Sequence, residues 1–137
     1  MSQWTHVNAS FRVDGVLKYL TNKEIERVIG KPYLWEDDYD DFFDSNDNPK
    51  FKLLPRGSEG SLEYSVWNNP DDHCLALQTI TVFGDLRDYS NVDELEKWFR
   101  DSCKSLNIRQ AVVQIIVECG KSVIIAYNGY SFMKQIF

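Results

Sequence analysis

A chain of 137 residues with 43% hydrophobic and 14% aromatic content has the composition of one folded domain; it is too short for two ordinary domains and too apolar to be disordered. Fifteen basic and 21 acidic residues give a net charge of −6, and the Lys and Arg are scattered. Phosphate binding needs a basic patch, so direct contact with DNA or RNA is disfavoured.

The first element runs from Trp4 to Val13. Thr5, Val7, Ala9, Phe11 and Val13 alternate with Trp4, His6, Asn8, Ser10 and Arg12, which predicts a strand with one core face and one polar face. Asp14-Gly15 ends it. A helix follows, in which Thr21 and Glu24 have the spacing of a capping box and Ile25, Val28 and Ile29 form the apolar stripe. Gly30 and Pro32 stop it.

Next, Trp35, Tyr39, Phe42 and Phe43 recur at helical spacing, with carboxylates filling the other side. Glu36, Asp37, Asp38, Asp40, Asp41, Asp44 and Asp47 supply −7 with no basic residue among them, so the rest of the chain is close to neutral. The spacing predicts an acidic helix that only aromatic packing can hold, because Asp is a poor helix former and like charges repel. Asp44, Asn46 and Asn48 imitate the start of a calcium loop, but Pro49 and Pro55 stand where the turn glycine and the bidentate glutamate belong. A polar connection broken by Pro49, Pro55 and Gly57 leads to Gly57–Gly60, read as a tight turn in preference to an anion nest.

The strand from Ser61 to Trp67 places Leu62, Tyr64 and Val66 on one side. Residues 68–73 turn the chain into a strand over 74–83, making a hairpin. That strand carries apolar side chains on both alternating sets, as an interior strand does. Residues 84–90 read as a loop, and Val92, Leu95, Trp98, Phe99, Cys103 and Leu106 then draw one stripe down an amphipathic helix with Asn91 as N-cap and Glu94 at N3. Two β-rich runs, 108–118 and 121–127, meet at Cys119-Gly120 in a second hairpin. Residues 130–137 are open between a strand and a short helix.

This order predicts an α+β fold: a ferredoxin-like β-α-β-β-α-β unit with an antiparallel sheet, helices on one face, an acidic helical insertion and an extra strand at the C-terminal hairpin. No segment approaches the roughly 20 apolar residues of a membrane span, and the start lacks the layout of a signal peptide, so a cytoplasmic location is expected. Cys74, Cys103 and Cys119 are an odd number without C-x-x-C spacing. Buried free thiols are therefore expected, with no disulfide, metal or cofactor.

Two groups of residues stand out for function. Asp85, Arg87 and Asp88, with His6, form a candidate ligand loop, since a guanidinium suits bidentate contacts to carboxylate or phosphate. The other group is Trp35, Glu36, Asp37, Asp38, Tyr39, Asp40 and Asp41, a candidate acidic face for a basic partner. His73 beside Cys74 lacks the converging geometry and the orienting third group of a catalytic pair, and no catalytic residue is assigned.

The segments Trp4–Asn8, Pro55–Ser61 and Phe83–Tyr89, in this order and at this chain length, resemble small phage and prophage proteins of Gram-positive bacteria. The resemblance implies a mobile-element context, in the host cytoplasm, that includes anti-defence and anti-CRISPR proteins. Such proteins act by occupying a host protein's surface. The expectation is a non-enzymatic interaction protein that binds a basic host surface. The alternatives are a small-molecule or nucleotide binder or enzyme built on the Asp85 loop, and a virion or assembly component that self-associates.

Overall fold

The computed structural model describes residues 2–15, 20–32, 52–68 and 77–137. The order is β1 (Trp4–Asp14), α1 (Asn22–Val28), β2 (Glu63–Trp67), β3 (Leu77–Arg87), α2 (Val92–Ser105), β4 (Ile108–Val117), β5 (Val123–Tyr127) and β6 (Phe132–Ile136). The fold is α+β. Its six strands form one sheet in the order β2-β3-β1-β4-β5-β6, every neighbouring pair antiparallel.

Alternation along β1 sets the two faces. Val7, Ala9, Phe11 and Val13 are buried and pair with positions of like polarity on both sides: Phe11 lies opposite Ile80 on β3 and Ala111 on β4. A slip of one residue would turn all these side chains to the other face, so burial fixes the register. Both helices cover this face. Phe11 meets the rings of Trp98 at 5.9 Å and Phe99 at 5.4 Å, and Ile25 and Ile29 of α1 join the same core.

The capping box at Thr21 forms, with its side chain accepting from the Glu24 amide and Glu24 reaching back to the Thr21 amide. At the other end of α1 the carbonyl of Ile29 accepts from Trp98 Nε1 at 2.8 Å. A helix-terminal acceptor that would otherwise be buried without a partner thereby ties α1 to α2. Tyr64 does the same for β2, donating its hydroxyl to Glu26 Oε1 at 2.9 Å. In α2, the side chain of Asn91 accepts from the Glu94 amide, and the stripe at Leu95, Trp98, Phe99 and Cys103 is buried.

Three expectations are corrected or completed. The supposed loop after residue 83 is strand as far as Arg87, because Gly84 to Arg87 stay paired with Val7 to Trp4. As its apolar pattern predicts, β3 is interior to the sheet, between β2 and β1, with Phe83 exposed on the side opposite the helices. Of the cysteines, Cys103 is buried and Cys119 is exposed in the β4–β5 turn; burial pushes the Cys103 thiol up to about 12. Residues 132–136 are a strand. The acidic segment, Cys74 and His73 lie outside the described residues.

Candidate functional site

The sheet face away from the helices carries the even-numbered residues of β1 and their rung partners. His6 lies between Asp85 and Ile116, Asn8 between Phe83 and Gln114, Ser10 between Thr81 and Val112, and Arg12 between Thr79 and Gln110. The face continues to Glu63, Ser65 and Trp67 on one side, and to Ile124, Ala126, Met133 and Gln135 on the other. Among the described residues no element lies over it. Trp67 is 54% and Met133 69% exposed, and Phe83 and Ile116 also reach solvent.

A shallow depression of about 370 Å³ occupies the middle of this face, lined by Asn8, Ser10, Thr81, Val112, Gln114 and Ile124. Its lining mixes amides and hydroxyls with two aliphatic side chains, and no ionisable group points into it.

The charged groups collect at one end, where β1 begins and β3 and β4 finish. His6 Nδ1 is 2.6 Å from Asp85 Oδ1, and His6 Nε2 is 3.2 Å from Glu118 Oε2. The bond to Asp85, with the bond to Glu118 adding to it, raises the imidazole above its ordinary range, while partial burial works in the opposite direction. Glu118 also closes the end of the sheet, its Oε1 accepting from the Trp4 amide at 3.0 Å.

Arg87 follows on the same face of β3. Its Nη1 meets Glu59 Oε1 at 2.6 Å, its Nε and Nη2 both donate to Ser2 Oγ, and Asp88 lies 3.7 Å from Nε. Asp88 in turn accepts from the Gln3 amide and from Ser58. The four residues of the candidate ligand loop are therefore brought to one end of the sheet: His6 touches Asp85 directly, and Arg87 and Asp88 sit beside that pair, held by the chain's own groups.

The turn at 57–60 packs against this end. Gly57 donates its amide to the Gly60 carbonyl and Ser58 donates to the Arg87 carbonyl, so two amides of the supposed nest already have acceptors. Gly60 has φ +79, and a Cβ there would collide with the Asp85 carbonyl oxygen; only glycine combines that backbone with that approach.

A second concavity, of about 430 Å³, lies between residues 52–56 and α2, with Lys52, Pro55, Tyr89 and Trp98 on its walls. Lys97 and Asp101 on its rim pair with each other at 2.8 Å.

Comparison with known proteins finds no matching family model, no matching curated protein and no matching solved structure. The site is thus read from its own chemistry. Of the residues singled out in the sequence, Trp35, Glu36, Asp37, Asp38, Tyr39, Asp40 and Asp41 lie outside the described residues. Sequence reasoning missed Glu118 and Glu59, whose partners are 112 and 28 residues away, and it missed the open face itself. The signal for that face was the outward set Val112, Gln114 and Ile116 alternating with buried Ala111, Val113 and Ile115. Among the described residues no helix is long and apolar enough to cross a membrane.

Proposed function

We propose that this is a non-enzymatic interaction protein that docks a basic protein surface on the open face of its sheet. The observation that carries the reading is the face itself: Trp67, Phe83, Ile116 and Met133 exposed around a polar depression. Exposed aromatic and aliphatic side chains grouped on one rigid face mark a binding surface. Its charge selects the partner. Glu59, Glu63, Asp85, Asp88 and Glu118 gather at one end against Arg87 and His6, so a surface rich in Arg or Lys is attracted and a nucleic acid is repelled.

The acidic run at 36–47 contributes −7 to the net charge of the chain. The resemblance to phage proteins supports placing the partner among host defence nucleases or other nucleic-acid-binding proteins, whose own sites are basic. The ligand-loop alternative needs an available guanidinium, and Arg87 is engaged by Glu59 and Ser2. A nucleophile-and-base reading needs a ring nitrogen of His6, and both are taken by carboxylates.

The proposal extends to the fold. The order β2-β3-β1-β4, with one helix after β1 and one after β3, supports a split β-α-β-β-α-β unit of ferredoxin-like type, to which β5 and β6 add at the β4 edge.

The test is kinetic, on a partner recovered by pull-down and then purified. Phe83→Ser with Ile116→Ser should raise the dissociation rate at least about tenfold, and Asp85→Asn with Glu118→Gln should slow association at low salt. A partner indifferent to both pairs of changes refutes the docking face.

A further inference from the structure

The sheet ends at β6, and among the described residues β6 has none of the usual devices that keep an edge strand solitary. Residues 132–136 contain no proline and pair in unbroken register with β5. The one charged side chain, Lys134, is turned to the helix side, where its Nζ lies 2.7 Å from Glu96 Oε1. The same helix holds Phe132, with the Arg100 guanidinium 4.8 Å from its ring centroid. Edge strands are normally protected by outward charge, proline or a bulge. Here the charge is neutralised and the strand is fastened to α2.

The hydrogen-bond phase shows which amides are left over. Phe137 exchanges both backbone bonds with Ser122, and the Ser131 carbonyl accepts from Asn128. Since bonding alternates along an antiparallel ladder, the odd-numbered residues face β5, and Phe132, Lys134 and Ile136 direct their N–H and C=O groups away from the sheet. Apolar side chains line the same edge. Of the seven exposed large hydrophobics among the described residues, Trp67, Phe83, Ile116, Tyr130, Met133, Ile136 and Phe137, the last four fall within residues 130–137, with Tyr130 95% exposed.

We propose that two copies of this chain pair antiparallel through β6 about a two-fold axis at Met133, joining two six-stranded sheets edge to edge. This register suits a second copy because it keeps Lys134 from facing its own charge and places exposed Met133 at the axis. It sets Phe132 against the second copy's Lys134 and Tyr130 against its Ile136. Both Phe132–Lys134 rungs then join residues whose amides point outward, and the central Met133 pair is a close, non-hydrogen-bonded one. Lys134 meets an aromatic ring instead of its own copy. Centring the axis on Lys134 would oppose like charges, which is unfavourable. The inference goes beyond the docking reading and is independent of it, although edge pairing would also make the two open faces continuous.

Sedimentation velocity and amide exchange of the full chain test this together, over a series from about 1 µM to about 500 µM. The expected result is a mass rising to twice 16.0 kDa, with exchange at Phe132, Lys134 and Ile136 slowing as the dimer forms. Ile136→Pro removes an outward donor and no bond to β5. Met133→Lys places like charges at the axis. Each should give a monomer throughout the series, with circular dichroism and melting showing the fold retained; if the proline variant fails to fold, Met133→Lys carries the test. A wild type that stays monomeric overturns the proposal and leaves the edge to a strand of another protein. A dimer that survives both substitutions, or whose three amides exchange freely, overturns it as well.

Discussion

Trp98 joins the two helices to the sheet by two separable interactions, and substitutions can take them apart. The side chain is 4% exposed; its ring meets Phe11 edge-on and its Nε1 donates to the Ile29 carbonyl. Trp98→Ala removes both and opens a cavity, which costs about 3–5 kcal/mol. Trp98→Phe keeps most of the ring but strands a buried carbonyl at the end of α1, at a cost of about 1–3 kcal/mol. For a chain of this size each kcal/mol lowers the melting temperature by about 4 °C. Urea denaturation followed by far-UV circular dichroism measures both losses without relying on indole fluorescence. If Trp98→Phe matches wild type, the bond to Ile29 does not hold α1. If Trp98→Ala loses less than about 1 kcal/mol, α2 is not the element that closes the core.

Three further outcomes follow from the charged end of the sheet and the acidic run. Because His6 titrates higher in the folded protein than in the unfolded chain, its pairs with Asp85 and Glu118 contribute fully below the unfolded value of about 6.5 and are lost as pH rises through the folded value. Melting temperature should therefore fall over that interval in wild type and less so in His6→Gln, and identical profiles would remove His6 from the account. Gly60→Ala should destabilise by about 1–3 kcal/mol, since it combines a left-handed backbone with a collision at Asp85; an unchanged urea midpoint would mean that the turn is free to move. Replacing Asp37, Asp38, Asp40 and Asp41 with Asn should slow association with a purified basic partner at low salt and leave the melting temperature within about 2 °C, whereas an unchanged rate returns that segment to a solvated surface.

The parts of the fold that were legible in the sequence are those in which local chemistry and tertiary structure agree. Alternation in β1, the Thr21–Glu24 box and the Asn91 cap each depend on residues a few positions apart, and each appears as expected. The segment after Phe83 was misread because Gly84-Asp85 has turn chemistry. Its strand conformation is imposed from outside, by β1 on one side and by Ser61 and Leu62, which come too close to Gly84 to admit a Cβ without displacement. The alternation of Asp85 and Arg87 outward with Leu86 inward was the local sign that pairing continues.

The site was less legible for the same reason. His6, Asp85, Arg87 and Asp88 could be singled out as chemically capable, but Glu118 reaches His6 only because β4 is laid beside β1. Likewise Lys134 reads as an ordinary edge charge until Glu96 is placed beneath it. Pair partners separated by long stretches of chain carry no local signature. The open face is different. It is present in the alternation of β4, where Val112, Gln114 and Ile116 point outward between buried Ala111, Val113 and Ile115.

The claim that the open face receives a basic surface is tested most directly by nuclear magnetic resonance titration of the labelled protein with an oligo-arginine peptide, and separately with duplex DNA. The account predicts peptide-induced shifts at His6, Asp85 and Glu118, extending to Phe83 and Ile116 on the same face and suppressed by salt, and no response to DNA. Shifts confined to the helix side, or a response to DNA with none to the peptide, would contradict it.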